Sequence, residues 1–295
     1  MKRDPPVPLG ARYAFFAQAT NVDVIAHRGG DGEWPGETTY AFTRAIESRA
    51  DVIEMDVWGT ADKPPVLVLM HSSDVSKMTE GTGDVRSLKF KKDLEHLNAA
   101  YQWSPDGGKT FPFRNTEPIL RLAKLEDVLN DFKNHRMNIE IKQKRPSIVK
   151  PFLDAIERSE VPAQNLLIAS FHTAVLKEFR KECKQRNLPI ATSASTWEWV
   201  RFYFGNYLLH IPYAPPAEAL QMAERLPVLR FWLLSRRFIE KAHAAKFKVH
   251  AWTVDDPNDM KRAIANGVDG IITNLPTQLR AIVNEYAEGV FGNPS

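Results

Sequence analysis

Two pairs of ionisable residues stand two apart in this 295-residue chain: Glu54 and Asp56 in IEMDV (53–57), and Glu140 and Lys142 in NIEIK (138–142). On an extended strand a spacing of two puts both side chains on one face. His27-Arg28 follows the apolar run VIA, His71 closes VLVLM, and Trp252 sits in AWTV. Each residue has a plainer reading. A strand-end histidine is often a hydrogen-bonded structural residue, Glu-x-Asp can be an exposed face, Lys142 can simply neutralise Glu140, and Trp252 can be core. Taken together they ask for more. Three carboxylates in a packed interior without enough cations are strongly unfavourable. One divalent metal held by Glu54, Asp56 and Glu140 removes that penalty. A cysteine-free, all-oxygen ligand set favours Mg²⁺ or Ca²⁺ over Zn²⁺.

Such residues converge only if the elements carrying them do. Short β-branched or aliphatic runs at Asp23–Ala26, Val52–Val57, Asn138–Ile141, Leu166–Ser170, Ile190–Thr192, Ala217–Met222, Val249–Val254 and Gly270–Thr273 read as strands. The sixth could equally be helical. Helical patterns, including Thr39–Ser48, Lys124–Lys133, Ile148–Ser159, Thr173–Gln185, Ser235–Ala245 and Pro257–Ala265, lie between them. Alternation of this kind implies βαβ units and a parallel sheet. Eight repeats over about 250 residues predict an α/β fold of the (β/α)₈ TIM-barrel type, with chemistry at the C-terminal strand ends. A dinucleotide-binding sheet would want a Gly-rich fingerprint after its first strand, and His27-Arg28-Gly29-Gly30 is not one.

One run interrupts the alternation. Val66–His71 follows Val57 after eight residues, too few for a crossover helix. It is expected to pair antiparallel, with His71 near Ile53–Met55. Residues 72–120 fit no barrel element and read as a loop-rich insertion over one face of a single domain spanning 1–295.

Composition is that of an ordinary globular protein, 43% hydrophobic and 25% charged. A net charge of +3 gives no support for nucleic-acid binding, and a lone cysteine, Cys183, excludes an internal disulfide. The longest apolar run near the start, residues 13–17, is shorter than a signal or spanning segment requires. The expectation is a cytoplasmic or peripheral membrane protein.

IAHRGG (25–30), PGETTYAF (35–42), IEMDV, VLVLMH (66–71), NIEIK, ASF (169–171), AWTVDDP and GVDGIITNLP (to 276) occur in an order that resembles the glycerophosphodiester phosphodiesterase family over residues 24 to 280. The resemblance implies a barrel holding one divalent metal on Glu54, Asp56 and Glu140. His27 and His71 would then be general acid and base, and Arg28 and Lys142 would hold phosphate oxygens. Imidazole, titrating near neutral pH, suits proton transfer in both directions. Attack by the neighbouring glycerol hydroxyl would give a cyclic phosphate, hydrolysed next; direct attack by water is the fallback. Two departures stand out. Gly36 and Glu37 occupy the middle of a usual Pro-Glu-Asn-Thr motif, and Ser72 replaces the aspartate of a usual His-Asp pair.

Residues 197–237 hold nine of the thirty aromatics, among them Trp197, Trp199, Phe204 and Phe231, beside Arg201, Arg225, Arg230, Arg236 and Arg237. They are either packing for a barrel helix or a surface for lipid. A long apolar stretch here resembles the lysophospholipase D branch of the family, so a lysophospholipid is the expected substrate, with peripheral membrane contact through 197–237. Deacylated glycerophosphodiesters are the second reading, and a non-catalytic phospholipid-binding barrel or a phosphatidylinositol-type phospholipase C the remaining ones. Trp252 is expected at the substrate. His172, just past the fourth strand, is the one further histidine expected near the rim.

Overall fold

The computed structural model describes residues 13–18, 22–211, 213–225 and 232–289. Nine strands form its sheet: β1 Asp23–Ala26, β2 Val52–Gly59, β3 Leu67–Leu69, β4 Arg136–Ile141, β5 Leu166–Ala169, β6 Ala191–Thr192, β7 Ala219–Ala223, β8 Lys248–Trp252 and β9 Gly270–Thr273. Eight run parallel in the order β6-β5-β4-β2-β1-β9-β8-β7. A single parallel bridge, Ser193 to Ala219, joins the two ends, so the barrel is nearly closed. The ambiguous sixth run of the sequence is a strand. Around the sheet lie α1 Thr39–Glu47, α2 Leu125–Asp131, α3 Val149–Arg158, α4 Thr173–Arg186, α5 Thr196–Arg201, α6 Arg236–Ala244, α7 Pro257–Asn266 and α8 Pro276–Ala287.

Parallel strands are covered on both faces and therefore read as continuous apolar runs. Outward, Ile139 and Ile141 of β4 meet Phe152 of α3 and Phe179 of α4; on the opposite side Leu220, Val249 and Ala251 meet Phe238 and Met260. Inward, Ile25, Val52, Leu167, Ala219 and Ile272 pack with Phe15 and Phe16. The same end holds a buried bidentate pair, Arg136 to Asp23, at 2.7 and 2.6 Å.

The hairpin strand β3 pairs antiparallel with β2 through Val57–Leu69, Trp58–Val68 and Gly59–Leu67. Met70 N–H continues the ladder to Asp56 O at 3.0 Å. Extending that register sets His71 against Met55, inside the expected window. Behind β3, residues 72–120 contain three short turns, at Val75–Lys77, Val85–Ser87 and Phe90–Leu94. Val75, Val85, Phe90, Leu94 and Leu97 form a small core with Val68 and Met70. The segment is thus fastened to the strand that delivers His71.

His250, fully buried on β8, has one ring neighbour of note, Phe16 at 5.9 Å. Its Nδ1 lies 3.3 Å from the Gln221 amide nitrogen and accepts from it, leaving Nε2 without a partner. Burial holds its pKa down at about 4, below the ordinary value of about 6.5. The unfolded chain therefore takes up a proton below about pH 6.5 that the folded chain refuses until about pH 4. Stability contributed by neutral His250 is complete above that window and lost as pH falls through it. Chemical denaturation at pH 7 and pH 5 should show wild type losing about 2 kcal/mol more than His250→Gln. Equal losses in the two proteins would refute this account.

Candidate active site

The turn after β1 is the tightest piece of the site. Arg28, Gly29 and Gly30 all have positive φ (52°, 82° and 98°). A Cβ on Gly29 would come within 2.9 Å of the Ala41 and Phe42 side chains, so only glycine lets this turn approach α1 so closely. The turn aims Arg28 N–H at Glu54 Oε2, 2.8 Å away. It also sets the guanidinium Nε 3.5 Å from Asp56 Oδ2.

The in-phase register of β2 with β4 places Asp56 beside Glu140 and Glu54 beside Asn138. One oxygen from each of Glu54, Asp56 and Glu140 lies within 4.8 Å of the others. Lys142 Nζ donates to Glu140 Oε2 at 2.8 Å and stands 3.1 Å from Asp56 Oδ1. Both Asp56 oxygens and Glu140 Oε1 are nonetheless buried without a hydrogen bond; Lys142 and Arg28 meet Asp56 through charge contacts alone. Buried acceptors aimed at one point are what a hard cation needs. The three residues could hold a divalent metal. Without one, burial and then the Asp56 charge push Glu54 up to about 8, and the same two causes push Glu140 up to about 8.

His27 Nδ1 is 2.6 Å from Asn274 Oδ1, while the Asn274 amide donates to Asp255 Oδ2 at 2.7 Å. The second bond orients the first. Asn274 Oδ1 must face the ring, so Nδ1 carries the hydrogen and Nε2 keeps a lone pair. Burial, then Arg28, hold the His27 pKa below its ordinary value. At His71 burial and Arg28 lower the pKa to about 4. Trp58 Nε1 donates to the His71 carbonyl at 3.4 Å.

All the expected residues meet here. A cavity of about 150 Å³ is lined by His27, Arg28, Glu54, His71, Glu140 and Lys142 on one wall. Phe171, Trp199 and Trp252 line the other, with the Phe171 and Trp252 rings 5.5 Å apart. Asp56 lies buried beneath. The aromatic segment divides in two. Phe202 and Tyr203 are buried against Phe238, whereas Trp197 (68%), Leu209 (67%) and Ile211 (55%) are exposed, with Phe204 and Leu208 nearly half so. Three of its arginines are engaged: Arg225 binds Asp259, Arg201 stacks 4.2 Å from the Tyr213 ring, and Arg236 donates to Ala265 O at 3.1 Å. Arg230 and Phe231 fall outside the described residues.

Sequence reasoning passed over three neighbours. Glu37, in the left-handed conformation at φ 60°, is buried and accepts Asp56 N–H at 3.1 Å, and burial beside Asp56 and Glu54 raises its pKa well above the usual carboxylate range. Asn274 and Asp255 form the support for His27. Their signal was present: Asn274 directly follows β9 and Asp255 stands three residues past β8, at the strand ends where a barrel builds its site.

Fold and site together define a TIM barrel with a carboxylate cluster able to hold one metal beside two imidazoles. The chain belongs to the glycerophosphoryl diester phosphodiesterase family, whose pattern it matches over residues 27–278. It is 29% identical over 267 residues to a glycerophosphodiester phosphodiesterase of Caldanaerobacter subterraneus, covering 89% of this chain and 98% of that one. It is 25% identical over 293 residues to human lysophospholipase D GDPD3, covering 92% and 87%. Among solved structures, it resembles the glycerophosphoryl diester phosphodiesterase domain of a Mycobacterium tuberculosis protein, with TM-score 0.72, 19% identity and coverage of 89% and 98%. An Oleispira antarctica phosphodiesterase in complex with the product sn-glycerol-3-phosphate also superimposes, with TM-score 0.67, 18% identity and coverage of 92% and 99%.

Raised carboxyl pKa values make metal binding compete with protons. Folded Glu54 and Glu140 hold protons between about pH 4.5 and 8 that the unfolded chain has already lost, so the metal-free fold loses stability as pH rises through that window. Adding Mg²⁺ to chelator-treated protein should raise Tm more at pH 8 than at pH 6.5, and Asp56→Asn should abolish the gain. A gain that is larger at pH 6.5, or that survives in Asp56→Asn, would exclude this ligand set.

Proposed function

We propose that the chain is a divalent-metal-dependent phosphodiesterase of lysophospholipids, releasing the head-group alcohol and lysophosphatidic acid or its cyclic form. Glycerophosphodiester phosphodiesterase activity follows from the family and the assembled site. The observation carrying the lipid preference is the exposed apolar row Trp197, Phe204, Leu208, Leu209 and Ile211, on the segment that also supplies Trp199 to the cavity wall. Such a row beside a cavity mouth suits contact with a bilayer surface and an acyl chain leaving the site. The relatives named lysophospholipase D support the same reading. Release of glycerol 3-phosphate from deacylated diesters is the second reading, favoured by the Oleispira neighbour and its bound product.

In this scheme Glu54, Asp56 and Glu140 hold Mg²⁺ or Ca²⁺. When bound, the ion supplies Lewis-acid stabilisation of charge on the phosphoryl oxygens. Arg28 and Lys142 hold those oxygens and add to that stabilisation. His27, its Nδ1–H fixed on Asn274, presents a basic Nε2 to the attacking hydroxyl, either the neighbouring glycerol hydroxyl or water. His71 gives a proton to the departing oxygen. Its low pKa arises from burial and from Arg28; an anionic diester placed between them offsets that repulsion and restores its proton affinity. Trp252 flanks the glycerol arm.

Two measurements test the scheme. Choline release from lysophosphatidylcholine should exceed that from glycerophosphocholine and vanish with chelator. Trp197→Ala/Leu209→Ala should raise KM for the lipid about tenfold and leave the water-soluble diester unchanged. Faster turnover of the soluble diester by wild type would overturn the lipid preference. For the proton donor, His71→Asn should lower kcat for alkyl diesters about 10²–10⁴-fold but far less for a p-nitrophenyl diester, whose leaving group needs no proton. Equal losses on both would remove His71 from that role.

A further inference from the structure

Lys142 also lines a second, open cleft of about 400 Å³, together with Trp58, Arg86, Lys144, Arg145 and His172. Among the described residues no carboxylate lines it. Lys142 belongs to both cavities, so a group leaving the phosphate-holding lysine on this side enters the cleft directly. The charges are not all equally available. Lys142 is committed to Glu140 and Asp56. Arg86 forks onto Asp84 at 2.8 and 2.6 Å while its guanidinium lies 5.5 Å from the Trp58 ring. Lys144, Arg145 and His172 are exposed. Among the described residues no carboxylate pairs with Lys144 or Arg145, while burial and then Lys144 lower the pKa of His172. Two cationic groups from the loop after β4 therefore line the cleft with their charge uncompensated, beside an imidazole from the loop after β5.

We infer that this cleft is a head-group subsite for an alcohol that carries an anionic group of its own, a phosphate monoester above all. The inference rests on the phosphodiesterase reading and deepens it. The aromatic cavity takes the glycerol arm with any acyl chain, the metal-side residues hold the scissile phosphate, and the second phosphate reaches Lys144, Arg145 and His172. Lysine and arginine together suit a phosphate, one as a point charge and one as a planar fork. A like-signed cleft also draws an anionic head group in and works against a quaternary ammonium.

The test compares glycerophosphoinositol 4-phosphate with glycerophosphocholine as soluble substrates of the metal-loaded enzyme. Wild type should show kcat/KM at least about tenfold higher for the phosphorylated diester, shrinking toward unity as NaCl is raised. Lys144→Gln/Arg145→Gln should lose about tenfold on that substrate and stay within about twofold on the choline diester. Equal or higher kcat/KM for the choline diester, or an unchanged ratio in the double variant, would overturn the subsite. Titration calorimetry of metal-free protein with inositol 1,4-bisphosphate reads the cleft without catalysis. Heat that disappears in the double variant supports the subsite even if no diester is turned over, a result that would overturn the phosphodiesterase reading alone. Absence of binding at millimolar ligand refutes the subsite while leaving that reading intact.

Discussion

Four carboxylates, from Glu37, Glu54, Asp56 and Glu140, are gathered at one end of this barrel, and among the described residues only Arg28 and Lys142 reach them with positive charge. The imbalance is not relieved by solvent, since all four side chains are buried or nearly so. Apart from a cation, protonation is the relief open to them, which is why Glu54 and Glu140 rise to about 8. A site that holds protons it would readily exchange for a metal is poised rather than stable. The surrounding barrel supplies the rigidity that makes such a state tolerable.

That rigidity comes from register. Six consecutive residue pairs join β2 to β4, so Glu54, Asp56 and Glu140 cannot slide apart without breaking the longest ladder in the sheet. The hairpin strand adds His71 to the same edge through a short antiparallel ladder. The insertion core under Val68 and Met70 then presses that strand in place. On the other flank the loops after β9 and β8 supply Asn274 and Asp255, which set the His27 tautomer. The two histidines are thus held from opposite flanks of the strand pair that carries the carboxylates.

Much of this could be read before any coordinates. Pairs spaced by two on apolar runs marked inward-facing acids, and eight such runs with helices between them left few architectures open. The short link after Val57 forced a hairpin and put His71 at its observed level. What escaped had no periodic signature. Glu37 stands in a turn whose positive φ brings its carboxylate under Asp56 N–H, a long-range placement that local pattern does not encode. Asn274 and Asp255 matter only through each other, across 19 residues. The aromatic segment was ambiguous for a physical reason. A π-helical stretch at Phe202–Leu208 turns Phe202 and Tyr203 inward and leaves Phe204 and Leu208 exposed, so neither helical nor strand periodicity sorts its faces.

The mouth of the barrel is chemically lopsided, and the lopsidedness follows from which loops surround it. The segment after β6 brings Trp199, with Phe171 and Trp252 beside it, while β2, the loop after β4 and the insertion bring Trp58, Lys144, Arg145 and Arg86. Lys142 stands on the boundary, its ammonium 5.3 Å from the Phe171 ring on one side and lining the cationic cleft on the other. A phosphodiester is itself a boundary molecule, one phosphate joining two unlike alcohols. In the proposed scheme, with the phosphate between the metal-side carboxylates and Lys142, the two walls would dictate which arm lies where. Orientation of the substrate, and hence which ester bond faces His71, would then be decided by the contrast between an apolar wall and a cationic one. The carboxylates and histidines to which the scheme gives the reaction would have no means of making that distinction themselves.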